Sequence, residues 1–235
     1  MAKKSRIKLG IIAAMSVEAE KIVGSMSDVA EEVCSNTVFH SGKIGNTPVV
    51  CAVCGIGKVS AAMCAEAMII KYSPEFIINT GVAGTLTRDL SIGDVAISNA
   101  VVQHDMDVSS MGDPIGLIPS LGLIEIPASA ELAEKVCSIL DGIGTRYLRG
   151  IIASGDRFVA DETVKKQIRE RFSAIACEME GGSVGHVCHV NGIPFLVIRA
   201  ISDDADSGAC EDYPSFVKKA ANVSAEISTS LARIL

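Results

Sequence analysis

The feature that most constrains this chain is a series of seven short apolar, β-branched runs: Lys8–Ala14, Val49–Cys54, Phe76–Thr80, Val95–Val102, Leu148–Ser154, Ala174–Cys177 and Phe195–Ala200. None alternates polar with apolar residues, so a strand at each place must be covered on both faces. Helix-length stretches separate several of them: Val17–Met26, Lys58–Tyr72, Ala130–Leu140, Glu162–Arg171, Gly182–Val190 and Ser215–Leu235. Strand alternating with helix gives an α/β layer fold around a largely parallel sheet, because parallel neighbours need a crossover that a helix supplies. Thr37–Cys54, with turn residues between Gly42 and Pro48, reads as an antiparallel hairpin added to that sheet.

A chain of 235 residues, 49 % hydrophobic and 21 % charged, has material for one sizeable core. No repeat, low-complexity tract or Pro/Ser-rich linker divides it, so a single domain over 1–235 is expected, with 1–6 as a flexible N-terminal extension. The net charge is −7, and basic residues cluster only in Lys3-Lys4-Ser5-Arg6. The footprint of a nucleic-acid binder is missing, and a small-molecule partner is expected. The apolar stretch Leu9–Val17 ends at Glu18 and Glu20 without a small-residue cleavage site, so Lys8–Ala14 reads as a buried strand and not part of a signal peptide. No segment reaches the roughly 18 apolar residues of a membrane helix. The expectation is a soluble, cytoplasmic protein without membrane partners.

Eight cysteines lie at irregular places, mostly inside apolar runs, where a reduced thiol behaves as a small hydrophobe. Cys51 and Cys54 form a CxxC, but residues three apart on a strand point to opposite faces. In His186-Val187-Cys188-His189, only the two histidines share a helical face, and no carboxylate joins them there. No metal site is expected.

Ligands of α/β sheets bind beyond the carboxyl ends of the strands. Acids stand at three such ends: Glu18 after the first run, Glu178 and Glu180 after the sixth, and Asp203 and Asp204 after the seventh. Glycine-rich turns, Gly55-Ile56-Gly57-Lys58 and Thr80-Gly81-Val82-Ala83-Gly84, fill others. Neither turn is a nucleotide fingerprint. A Walker A loop would need glycine where Ala52 stands, and TGVAG lacks the GxGxxG spacing. Singly, Glu18 could serve the dipole of its helix, and Glu180 or Asp203 could cap one. Two less regular segments, Asp105–Pro127 and Asp203–Pro214, are long enough to be functional loops, the second a lid.

The ordered set GIIAAMSVEAE, VCGIGKVSAA, NTGVAG, GDVAISNAVVQHDMDV, SGDRFV, CEMEGGSVGHVC and VIRAISDDAD resembles the 5'-methylthioadenosine/S-adenosylhomocysteine nucleosidases of the nucleoside phosphorylase superfamily, from about Lys8 to the last helix. The resemblance implies a single-domain three-layer αβα sandwich with a mixed, largely parallel central sheet. It implies a cofactor-free hydrolase that releases adenine from 5'-methylthioadenosine, S-adenosylhomocysteine and 5'-deoxyadenosine. Carried over residue by residue, Glu18 is the base on the attacking water, Asp203 supports protonation of adenine N7, and Arg199 helps hold the water. Glu180 bonds the ribose hydroxyls, Met179 lies against the sugar, Phe158 stacks on the base and the Val159 backbone reads its edge. Met15, Ile56, Gly84, Glu178 and Ser202 are further substrate contacts, and Tyr213 covers the sulfur side. The resemblance also implies a homodimer in which Val108 and Met111 complete the partner's pocket.

Relatives with this fold use phosphate as the nucleophile, but AAMSVEAE puts a glutamate where those enzymes offer cations and amides to an anion, which favours neutral water. Two departures stand out. Val82 replaces a serine of several relatives, and Met111 and Asp113 stand where relatives often carry aromatic residues around the 5' substituent. The alternatives are a purine nucleoside phosphorylase, a nucleosidase for another 5'-modified nucleoside such as futalosine, and a catalytically inactive nucleoside-binding protein. The complete set Glu18, Glu180, Arg199 and Asp203 argues against the last.

Overall fold

The structure, a computed structural model, describes residues 7–203 and 213–235. The expected extension 1–6 and nearly all of the expected lid lie outside the described residues. The strands are β1 (Leu9–Ala13), β2 (Ser27–Cys34), β3 (Thr37–Ile44), β4 (Thr47–Val53), β5 (Phe76–Thr85), β6 (Val95–Gln103), β7 (Ile126–Pro127), β8 (Tyr147–Ser154), β9 (Ala174–Glu178) and β10 (Phe195–Asp203). The helices are α1 (Ser16–Gly24), α2 (Lys58–Tyr72), α3 (Ala130–Ile143), α4 (Glu162–Phe172), α5 (Gly181–Asn191) and α6 (Tyr213–Ile234). All seven apolar runs are strands of one mixed sheet, and the hairpin is β3–β4, with Phe39 opposite Ala52.

Alternate residues of the buried strands feed two cores. On one face Leu9, Ile11 and Ala13 pack with Ile22 of α1, Val136 of α3 and Leu231 of α6. On the other, Ile12, Val50 and Ala52 pack with Cys64 and Met68 of α2 and Val184 and Cys188 of α5. Helices therefore cover both faces, as strands without a polar face require. Cys51 belongs to the first core and Cys54 packs against the second, as their spacing implies. The cysteines of the described residues are all free thiols.

The sheet has a closed part that the strand pattern alone does not reveal. The N-terminal half of β5 pairs in parallel with β1, from Leu9–Phe76 to Ile12–Asn79. Its far end leaves β1 and pairs antiparallel with β9, through Gly84–Cys177 and Thr85–Ala176. Since β10 pairs with both β5 and β6, and β8 bridges β6 and β9, the strands β5, β10, β6, β8 and β9 form a ring. The fork where β5 parts from β1 opens a gap at the carboxyl end of the sheet.

Two elements depart from the sequence reading. The first helix ends at Gly24, and Ser27–Cys34 is a strand where none was expected. That segment, SDVAEEVC, is exposed along nearly its whole length and occupies the edge beyond β3, so no buried face marks it in the sequence. Its Asp28, Glu31 and Glu32 are the charges expected of an edge protected from further pairing.

Candidate active site

The gap at the fork is a cavity of about 110 Å³, open to solvent. It is lined by Ala14, Met15 and Glu18 after β1, Ile56 after β4, Val82 to Gly84 of β5, Phe158 after β8, Cys177 to Glu180 at the end of β9, and Arg199, Ser202 and Asp203 of β10. A second, smaller hollow continues from it, sharing Gly84, Phe158, Cys177, Glu178, Met179 and Asp203 and adding Thr85, Leu86, Arg157, Val159 and Lys165. Every residue expected from the sequence to touch substrate within one chain, apart from Tyr213, therefore lines one of two joined hollows. The side chain of Tyr213 lies outside the described residues. Val108 and Met111 line neither hollow, and Met111 is 82 % exposed.

Glu18 occupies the third position of α1, and its side chain folds back on the helix entry. One oxygen accepts from the N–H groups of Ala14 (3.0 Å) and Met15 (2.8 Å), and the other accepts from Val82 N–H (3.1 Å). It thus satisfies orphan donors of the first turn, the role open to any acid there, while standing buried at the cavity wall. Burial pushes its carboxyl above the usual range, against the pull of Arg199 and the three N–H donors. Gly81 makes this possible: a Cβ there would lie 2.5 Å from both Glu18 Oε1 and Arg199 Nη1.

Arg199 is the largest fully buried side chain, and acids surround it. Its Nη2 donates to Glu178 Oε2 and Asn79 Oδ1 and reaches Glu180 Oε2 at 3.4 Å, while Nη1 points at Val82 O at 3.5 Å. Burial opposes its charge, but Glu178, Glu180 and Glu18 together outweigh burial and hold the guanidinium protonated. Glu178 lines the cavity but is also heavily engaged within the protein. Its oxygens already accept from Ser154 Oγ, the N–H groups of Glu180 (3.0 Å) and Gly181 (2.8 and 3.0 Å), and Arg199. A carboxylate with that many donors anchors Arg199 and the start of α5; little of its acceptor capacity faces the cavity.

Glu180, just ahead of α5, accepts from Gly57 N–H at 2.9 Å through Oε1, which leaves Oε2 toward Arg199 and the cavity. Burial pushes its carboxyl up to about 7; Arg199 and the Gly57 N–H oppose that, and Glu178 and Glu18 add to it. Asp203, at the end of β10, accepts from Ser202 Oγ at 3.1 Å, with Oδ2 lying 4.0 Å from Lys165 Nζ. Its carboxylate sits against Gly84, where a Cβ would come within 2.7 Å of Oδ2. Phe158 is half exposed at the junction of the two hollows, with Val159 buried beside it.

The sequence reading overlooked Asn79, Ser154 and Lys165. Asn79 and Ser154 sit inside apolar strands, and only a polar residue in an otherwise buried run marks them. Lys165 carries a clearer sign, standing one turn ahead of Ile168 on the buried stripe of α4. Among the described residues no three His, Cys, Asp or Glu side chains gather as a metal site would need, and His186 Nδ1 instead faces Gln103 Nε2 at 3.4 Å.

Acids, one buried guanidinium and a half-exposed aromatic ring thus line one cavity. The model of the phosphorylase superfamily matches residues 8–233. A 5'-methylthioadenosine/S-adenosylhomocysteine nucleosidase of Shewanella oneidensis is 37 % identical over 217 residues, 91 % of each chain. The Helicobacter pylori enzyme of that name, complexed with a pyrrolidinol bearing an aminopyrrolopyrimidine and a propynylthiomethyl group, superposes with a TM-score of 0.93 at 35 % identity, covering 99 % of this chain and 100 % of that one. A futalosine hydrolase of Helicobacter pylori superposes at 0.94 with 35 % identity and the same coverage. By fold, by the length of the match and by the residues gathered at the fork, the chain belongs to the phosphorylase superfamily, among its 5'-methylthioadenosine/S-adenosylhomocysteine nucleosidases.

Proposed function

We propose that this chain hydrolyses the N-glycosidic bond of 5'-methylthioadenosine and S-adenosylhomocysteine, and also of 5'-deoxyadenosine, releasing adenine and the 5'-substituted ribose. This is the chemistry of methionine salvage and of clearing S-adenosylmethionine by-products. The observation that carries the reading is that Glu18 and Asp203, far apart in sequence, line one cavity. Bond cleavage builds positive charge on the ribose and negative charge on the leaving purine, so a base for water and an acid for the purine must flank the same bond. Glu18 takes the proton of a water held beside Arg199. Asp203 gives a proton to N7 as the bond to the sugar breaks. Glu180 Oε2 accepts from the ribose hydroxyls, Met15, Ile56 and Met179 bound the sugar, Phe158 stacks on the base, and the backbone at Val159 meets its edge. Val82 needs no hydroxyl for its part, because its backbone N–H already orients Glu18.

Charge favours water over phosphate as nucleophile. Among the described residues lining the main cavity Arg199 is the one cation, engaged by Glu178 and Glu180, and Glu18 stands at the same wall. A phosphate dianion would meet net repulsion there. Adenine release from 5'-methylthioadenosine in phosphate-free buffer without added metal is the expected result; release only on adding phosphate, with ribose-1-phosphate products, would establish a phosphorylase.

The likeness to futalosine hydrolase supports a second reading, in which the 5' substituent is larger than a methylthio group. A panel of 5'-substituted adenosines compared by kcat/KM separates the two. The reading includes a homodimer. Val59, Met63 and Ile70 lie exposed along one face of α2, with Ile56 just ahead of it, an apolar stripe suited to a second copy of the chain. Val108 and Met111, remote from this chain's own hollows, would then serve the neighbour's. A monomer by light scattering at assay concentrations would refute this.

A further inference from the structure

Helix α4 is a surface helix of charged residues whose buried stripe carries Ile168 and Phe172, and a lysine occupies the next position of that stripe. Lys165 is 5 % exposed, whereas the neighbouring Lys166 points to solvent and pairs along the helix with Glu170. Burying an ammonium is costly unless an anion compensates it. Two lie near it among the described residues: Glu162 Oε1 at 3.3 Å, exposed and well screened, and Asp203 Oδ2 at 4.0 Å, buried at the wall of the smaller hollow.

We propose that Lys165 is a positioning residue that sets the acidity of Asp203. The inference rests on the function proposed above, in which Asp203 protonates the leaving base. Enclosure in the hollow favours the neutral acid, and an acid held too tightly protonated donates poorly at neutral pH. An ammonium on the Oδ2 side counters enclosure and keeps the proton transferable, while Ser202 Oγ fixes Oδ1. Among the described residues, the other titratable or charged groups around Asp203 are Cys177 and Glu178 of β9 and Arg157 after β8, with Glu18, Glu180 and Arg199 across the main cavity. Glu178 is committed to Arg199, and the Lys165 ammonium stands 4.0 Å from the Asp203 carboxylate.

The test is Lys165→Met, with Lys165→Gln as a second variant should the first fold poorly, and Lys165→Arg as the rescue. In the pH profile of kcat/KM the alkaline limb is expected to rise by about one pH unit or more, the size of effect an opposite charge at this distance exerts. The plateau rate should fall several-fold with KM nearly unchanged, and arginine should restore both. A limb that stays in place in a folded variant, or a loss equal at every pH, overturns the proposal. The Asp203 carboxyl is also to be titrated by carbon NMR in the free wild-type and variant proteins. That reading needs no turnover, so an inactive wild type would count against the nucleosidase reading alone, and an unchanged Asp203 titration against Lys165 alone.

Discussion

Replacing Glu180 with glutamine isolates the energetic cost of assembling so many acids around one guanidinium. The Glu180 carboxyl is pushed from an ordinary 4.5 up to about 7, chiefly by burial. Between those values the folded chain binds a proton that the unfolded chain releases, so stability falls as pH rises through this window and levels off above it. A displacement of about 2.5 pH units corresponds to roughly 3 kcal/mol. Glutamine keeps an oxygen for the Gly57 N–H, which donates at 2.9 Å, and does not ionise. Urea unfolding of wild type and Glu180→Gln at intervals from pH 5 to pH 8.5 should therefore give a difference curve that grows in the variant's favour by up to about 3 kcal/mol, centred between 4.5 and 7. For a chain of this size that corresponds to a relative gain in Tm of roughly 6–10 °C. Glu18 titrates in both proteins and largely cancels. Curves parallel within about 0.5 kcal/mol would mean that Glu180 ionises normally and that Arg199 fully compensates its burial.

Glu18→Gln should keep its backbone contacts at the start of α1 yet lower kcat by about 10²- to 10⁴-fold, and wild-type activity should fall as pH drops through the raised Glu18 value, where the base becomes protonated; a normal rate in the variant removes the assigned base. Arg199→Met leaves Glu178 buried without its cation and should cost about 3–5 kcal/mol in denaturant unfolding at pH 7.5; an unchanged midpoint would refute the anchoring role of that pair. Gly84→Ala places a methyl 2.7 Å from Asp203 Oδ2, and because that carboxylate can rotate away, the expected signature is a rate loss of about 100-fold with little change in Tm. Loss of folding instead would show that Gly84 serves packing first.

Much of the site was legible because carboxyl ends of buried strands are where ligands bind in such folds, and the acids stood there in the sequence. Glu18, Glu180, Arg199 and Asp203 were found that way, with the family resemblance supplying their roles. The internal bonding of Glu178 was not legible: no spacing reveals that Ser154, Gly181 and Arg199 take up its lone pairs, since those donors come from three separate elements. Lys165 was missed because a lysine in ETVKKQIRERF reads as one more surface charge until the helix stripe is laid against β8 and β9. The edge strand β2 was missed for the opposite reason, having no buried face to leave a pattern.

By itself the sequence determined the alternation of buried strands and covering helices, because runs dominated by Val, Ile and Ala, with no regular polar alternation, can be satisfied only between two apolar layers. It also determined which strand ends carry acids. Only the tertiary structure decided that β5 parts from β1 to join β9, since strand partnership depends on backbone pairing between distant segments that side-chain pattern does not encode. That fork opens the cavity, and the field inside it, three acids around one buried arginine, exists only where the chain brings residues of separate elements together.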